Sequence, residues 1–157
     1  MPHASRKFLF LQGPHGPFFQ QLAHALRRTG ARCHRVGFNR GDRAFWRDRA
    51  SYTWFTGPPD DWPREIDRLI RDLGVTDIVL YGDTRPVHAA AIRAATLSGV
   101  QAHIFEEGYL RPWWITYERG GANGHSPVMD IGIDAMSAFL NRPAPEPVEA
   151  PGHWGAL

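Results

Sequence analysis

Two adjacent carboxylates, Glu106 and Glu107, stand where an apolar run stops: residues 101–118 read QAHIFEEGYLRPWWITYE. Gly108, Tyr109, the Arg111-Pro112 step and the Trp113-Trp114 pair follow directly. In chemistry that moves sugars, a carboxylate can serve as base, as nucleophile, or as stabiliser of an oxocarbenium-like centre. Side chains that are neighbours on an extended backbone point to opposite sides. The pattern therefore turns one glutamate toward a crevice and leaves the other to anchor the loop. The plainer alternative is a pair of solvated surface charges, the usual state of acidic residues. Gly108 and Arg111-Pro112, which define a turn, favour the built site. Tryptophans beside carboxylates suit a sugar- or lipid-binding surface, since they offer an apolar face with a polar edge; core or interface packing is the other reading.

Two further clusters carry chemistry. GPHGP, residues 13–17, brings Gly13 and His15 together in a tight turn where a backbone can approach a ligand closely. It lacks the Gly-Lys-Ser/Thr ending of a phosphate loop and does not fit GxGxxG. Gly82-Asp83 precedes Arg85 and a helix start at Pro86, whose free N–H groups and neighbouring arginine could hold an anion; a plain turn with a helix cap is the alternative. Eight histidines include no HExxH or comparable pair, so no metal site is expected. Cys33, the only cysteine, falls inside a predicted strand and reads as a buried structural thiol in a reducing compartment.

The elements that must position these residues follow from periodicity. KFLFLQ (7–12) is a short apolar strand, and FFQQLAHALRRTG (18–30) has Phe18, Leu22, Ala25 and Leu26 at helical spacing before a glycine stop. ARCHRVGF (31–38) is a second strand. Residues 39–60 have no clear period and read as a long aromatic loop with one short element. DDWPREIDRLIRDLG (60–74) is a helix with Ile66, Leu69, Ile70 and Leu73 on one face, capped by Asp60 or Asp61. Asp77–Tyr81 is a third strand, residues 84–99 a helix with a Thr84 cap, and VQAHIF (100–105) a fourth strand. Alternating strands and helices predict a Rossmann-like α/β domain: a parallel sheet with helices on both faces. In such sheets ligands bind beyond the carboxyl ends of the strands, where the loops GPHGP (13–17), FNRGD (38–42), GDTRP (82–86) and EEGYLRP (106–112) should meet.

The domain is expected to occupy residues 1–127. Residues 128–157, rich in Pro and Ala toward the end, read as a linker or as the start of a further domain, which implies a piece of a larger protein. The chain of 157 residues is 43% hydrophobic with a formal charge of +2, and its arginines are interspersed with acids; no basic block suggests nucleic-acid binding. The apolar run at Phe8–Leu11 is too short for a signal peptide, and no stretch approaches the roughly 20 apolar residues of a membrane span. A cytoplasmic protein is expected, with peripheral attachment to the inner membrane face left open.

Residues 8–46, DIVLYGDTRPVHAAAI (77–92) and HIFEEGYLRPWWITYERGGANGHSP (103–127) resemble the amino-terminal half of the capsular polysaccharide biosynthesis and export proteins, the bacterial capsule β-Kdo transferases. The ordered pair GDTRP and EEGYLRP carries most of that resemblance. It implies one half of a GT-B-like glycosyltransferase of formally retaining chemistry, with CMP-Kdo as donor substrate and no other cofactor. The implied acceptor is a lipid-linked glycan on a phosphatidylglycerol-type anchor, and other capsule assembly or export proteins are implied partners. Related Kdo transferases carry Glu-Asp-Gly where this chain has Glu106-Glu107-Gly108. The match makes Glu107 the first candidate catalytic carboxylate and Glu106 the alternate. Gly13, His15, Asp83, Arg85, Gly108, Tyr109 and Arg111 are then candidate substrate-binding residues. The half implied to grip the donor nucleotide is absent from this chain. A non-catalytic module that binds glycolipid or a partner of the export machinery is the second reading. A small flavodoxin-like domain with a phosphate or flavin ligand is the third, weakened by the missing phosphate loop.

Overall fold

A computed structural model describes residues 5–108, 114–143 and 146. The strands are β1 (Lys7–Phe10), β2 (Arg32–Gly37), β3 (Tyr52–Trp54), β4 (Asp77–Tyr81), β5 (Gln101–Glu107) and β6 (Ile115–Arg119). The helices are α1 (Phe18–Arg28), α2 (Arg40–Ala44), α3 (Trp62–Leu73), α4 (Pro86–Leu97) and α5 (Ile133–Ser137). One six-stranded sheet has the order β3-β2-β1-β4-β5-β6, with β6 antiparallel to β5 and the other pairs parallel. This is the Rossmann-like α/β fold expected, with two additions. The aromatic loop contains both a short helix and an edge strand, and a further edge strand follows the acidic pair. Glu106 and Glu107 are still paired to β6, opposite Thr116 and Ile115, so β5 outlasts its apolar run by two residues.

Alternation along β1 divides the core. Leu9 and Leu11 join Ile78, Leu80 and Ile104 under α3 and α4, while Phe8 and Phe10 join Cys33, Val79, Phe19, Ala23 and Trp46 under α1. α3 buries Trp62, Ile66, Leu69 and Ile70, an i, i+4, i+7, i+8 stripe, and ends at Gly74 in the left-handed conformation. α4 buries Ala90, Ala91, Ala94 and Ala95, whose small side chains let it lie close on the sheet. Neither expected cap forms. Asp61 sits at the cap position of α3, but a preceding 3-10 turn already holds it in helical geometry and its side chain caps nothing. Arg85, not Thr84, occupies the cap position of α4. Trp46 and Trp62 are fully buried, whereas Trp54 and Trp114 are exposed.

One buried ion pair holds the end of β2 to α2. Arg35 and Asp42 are both almost inaccessible, with Arg35 Nη2 donating to Asp42 Oδ1 at 3.0 Å. The second Asp42 oxygen accepts the Phe38 N–H, and Asn39 Oδ1 caps the Asp42 N–H. Burial pulls the Arg35 guanidinium below its ordinary value, and the Asp42 charge opposes that shift. Removing one partner strands the other charge in the core, which costs about 3–5 kcal/mol. Asp42→Ala should therefore lower unfolding stability in urea by about that amount. Asp72→Ala, which breaks an exposed pair with Arg68, should leave the stability nearly unchanged, because solvent screens that pair. Equal losses in the two variants would contradict this assignment.

Candidate functional site

The sheet reverses its strand order between β1 and β4, and the loops that follow these two strands diverge there. Arg85, from the loop after β4, reaches across the gap and donates to Gln12 Oε1 at 2.7 Å. Two adjoining hollows open on either side of that bridge. The larger, about 640 Å³, is lined by Gly82, Thr84, Glu106, Gly108 and Asn123 among others. The smaller, about 380 Å³, is lined by Gln12, Gly13, His15, Asn39 and Phe45 among others. Tyr81, Arg85 and Glu107 line both, so the two form one crevice beyond the carboxyl ends of β1, β2, β4 and β5.

The acidic pair divides its work. Glu107 is exposed and shared by both hollows, while Glu106 is half-buried and its Oε1 accepts from Asn123 Nδ2 at 3.2 Å. Desolvation, then the nearby charges of Asp83 and Glu107, push the Glu106 carboxyl above its usual range against the Asn123 hydrogen bond. Asn123 is the one described non-glycine residue with positive φ, +51°. Asparagine tolerates that conformation better than most residues.

Beneath the crevice, the turn from β4 into α4 is tied down from several directions. The Gly82 N–H donates to the Phe105 carbonyl at 2.9 Å, and the Gly82 carbonyl accepts from His88 Nδ1 at 2.7 Å. Gly82 has φ +78°, and a side chain there would press on Glu106 Oε1 at 3.3 Å. His88 is fully buried, which pushes its imidazole down to about 4. Asp83 is also buried; its Oδ2 accepts from the Ala122 N–H at 3.0 Å and from His125 Nδ1 at 3.1 Å. Its Oδ1 has no hydrogen-bond partner among the described residues.

Of the residues singled out in the sequence, Glu106, Glu107, Arg85 and Gly108 meet at the larger hollow, and Gly13 and His15 line the smaller. Asp83 lies below the surface and fixes the loop after β6 rather than lining either hollow. Gly108 is buried, and a side chain on it would collide with the Trp114 backbone, to which its N–H donates at 2.7 Å. Tyr109 and Arg111 lie outside the described residues. Cys33 is buried, and desolvation pushes its thiol up to about 11, consistent with a structural role. Gln12, Asn39, Asn123 and His88 were not legible as site residues; only the Asn123-Gly124 step carried a turn signal.

Comparison with known proteins now bears on the same residues. The family described as capsule polysaccharide biosynthesis protein matches residues 76–142, which include β4, α4, the acidic pair and Asn123. The chain is 42% identical over 123 residues to the Capsule polysaccharide export protein KpsS of Escherichia coli, covering 78% of this chain and 31% of that protein. Over that stretch the chain resembles the capsule polysaccharide biosynthesis proteins. It is also 37% identical over 126 residues to the Capsule polysaccharide modification protein LipB of Neisseria meningitidis serogroup A, covering 80% of this chain and 30% of LipB. The chain thus spans about a third of the length of these curated relatives. The solved UDP-GlcNAc 2-epimerase from Methanocaldococcus jannaschii matches with a TM-score of 0.50 and 15% identity, over 64% of this chain and 31% of that one. At that identity the likeness shows the fold alone.

The raised Glu106 carboxyl sets a pH dependence of stability. The folded chain holds that proton more tightly than the unfolded chain, so its contribution to stability is complete in acid. It is lost as pH rises through the raised value. Glu106→Gln removes the charge and keeps an acceptor for Asn123. The melting temperature of the variant relative to wild type should therefore rise between about pH 4 and about pH 8. A difference that stays constant over that range would contradict the assignment.

Proposed function

We propose that this chain forms one wall of the cleft of a capsule glycosyltransferase that moves Kdo from CMP-Kdo to a lipid-linked acceptor. The observation that carries the reading is the crevice itself: two strand-end glutamates and one arginine meet at the switch point of a Rossmann-like sheet. Similarity to the capsule polysaccharide proteins supports a role in capsule polysaccharide biosynthesis, modification or export. The sugar, the donor and the acceptor rest on the resemblance of GDTRP and EEGYLRP to the Kdo transferases.

In this reading Glu107, which both hollows share, is the carboxylate that meets the reacting sugar. Glu106 keeps the rim in place through Asn123 and is the alternate. Kdo and its nucleotide donor are anionic, and Arg85 brings a positive charge to the centre of the crevice. The exposed apolar residues Met129, Ile133, Phe139 and Leu140 follow the last described strand, and a lipid-linked acceptor would give such a surface a use. Among the described residues no helix is long and apolar enough to cross a membrane. The proposal therefore places the chain at the inner membrane face by surface contact.

A complete protein that contains this segment provides the test. Glu107→Gln should reduce Kdo transfer by about 10²-fold or more while leaving the melting temperature within a few degrees of wild type. Transfer at near wild-type rate would remove Glu107 from the chemistry. Undiminished glycolipid binding by both forms, with no transfer by either, would favour the binding-module reading.

A further inference from the structure

A second cluster of titratable side chains lies away from the crevice, and the transfer reading makes no use of it. It begins at Asp77, the first residue of β4, which is almost wholly buried. Arg6 donates to both Asp77 oxygens, from Nε to Oδ2 at 3.0 Å and from Nη2 to Oδ1. Thr76 Oγ1 donates to Oδ2 at 2.6 Å. His103 Nε2 lies 2.7 Å from Oδ1. Burial alone would raise the Asp77 carboxyl, but hydrogen bonds from Arg6, Thr76 and His103 hold it below its usual range. An ionised carboxylate can only accept, so Nε2 of His103 carries a proton.

That constraint fixes what the other side of the ring can do. With one proton on the ring, Nδ1 is an acceptor, and the Tyr117 hydroxyl lies 2.7 Å from it. Tyr117 and His103 are diagonal neighbours across the β5–β6 ladder, on one face of the sheet. Asp77, His103 and Tyr117 thus form a carboxylate–imidazole–hydroxyl chain in which the base is held by a buried acid and faces an O–H group. Arg119 Nε points at the same phenol oxygen from 3.3 Å, where it would meet negative charge developing there.

The chain leads outward rather than into the core. His103 is buried, whereas Tyr117 is 45% exposed. Arg6, Thr76 and the Nε2 side of His103 satisfy the buried carboxylate, which leaves the Nδ1 side of the ring to face the half-exposed phenol. Beside the phenol lies apolar surface: the Phe105 ring is 4.9 Å from the Tyr117 ring, and Phe18 is 5.4 Å from Phe105. His103 is four residues back along β5 from Glu107, about 13 Å at the rise of a strand. The cluster is therefore a separate site from the crevice.

We propose that Tyr117 is a nucleophilic phenol, activated by His103 and Asp77, that accepts an acyl group from an activated ester. The phenol oxygen attacks the ester carbonyl carbon while its proton passes to His103 Nδ1. The tetrahedral adduct collapses with cleavage of the bond to the leaving oxygen, and that oxygen departs with the proton from His103. The products are O-acyl-Tyr117 and the alcohol or phenol of the donor, with no change of oxidation state. Phe105 and Phe18 supply the surface against which the acyl or aryl part rests.

The probe is 4-nitrophenyl acetate, added to the whole chain, with acetylation mapped by peptide mass spectrometry. Tyr52, Tyr81 and Tyr109, the other tyrosines, are internal references. Tyr117 should be acetylated at least about tenfold faster than any of them, with a matching release of nitrophenolate. His103→Gln keeps an N–H for Asp77 and loses the base, and should bring Tyr117 to the rate of the references. Arg119→Gln, at the exposed edge, should slow it less. Tyr117 labelled no faster than the reference tyrosines would overturn the proposal, and that comparison needs no variant. A folded His103→Gln protein labelled as fast as wild type would overturn it as well.

Discussion

The geometry of the crevice depends on how β4 turns into α4. Within two residues, Gly82 and Asp83, the chain binds three parts of the fold to one point. The Gly82 N–H holds β5 at Phe105, its carbonyl holds the first turn of α4 through His88, and Asp83 holds Ala122 and His125 after β6. The left-handed backbone at Gly82 makes the turn sharp enough, and the missing side chain leaves room for Glu106. Burying a carboxylate and an imidazole here costs desolvation, which hydrogen bonds offset. What the turn gains is a fixed distance between Arg85 on one rim and Glu106 on the other.

Electrostatics then separates two glutamates that are neighbours in sequence. Glu106 is the more buried of the two, feels the charge of Asp83, and keeps its proton to higher pH than a free glutamate. Glu107 points to the open side of the same strand end. The alternation of an extended backbone produces this division, and β6 makes it possible by pairing with both residues. Without the antiparallel edge strand the pair would sit on a frayed end, with neither side chain held in place.

Legibility in the sequence followed locality. β4 was readable to the residue because DIVLY is an apolar run bounded by an acid and a glycine. α3 was readable from its stripe of Ile66, Leu69 and Ile70. β3 was not, because Tyr52–Trp54 is three residues long and is a strand only through its pairing with β2. β6 alternates Ile115, Tyr117 and Arg119 with Thr116 and Glu118, a half-polar edge pattern that carries a weak signal. At the site, Glu106, Glu107, Arg85 and Gly108 stood out by residue type and turn context. Asn123 and Gln12 did not, because each acquires its role from a contact with a residue distant in sequence: Glu106 for the one, Arg85 for the other. The helix caps failed for a related reason. Asp61 is a good capping residue held in the wrong backbone conformation by the turn before it.

The central claim is that the crevice at the strand-order reversal is the ligand site. It is tested most directly by an NMR titration of the isotopically labelled chain, with CMP-Kdo and with a lyso-phosphatidylglycerol glycolipid in separate experiments. The account predicts saturable shifts confined to Gln12, Gly13, Arg85, Glu107, Gly108 and Asn123 with at least one of the two. Shifts absent from these residues with both ligands, or confined to the opposite end of the sheet, would contradict it.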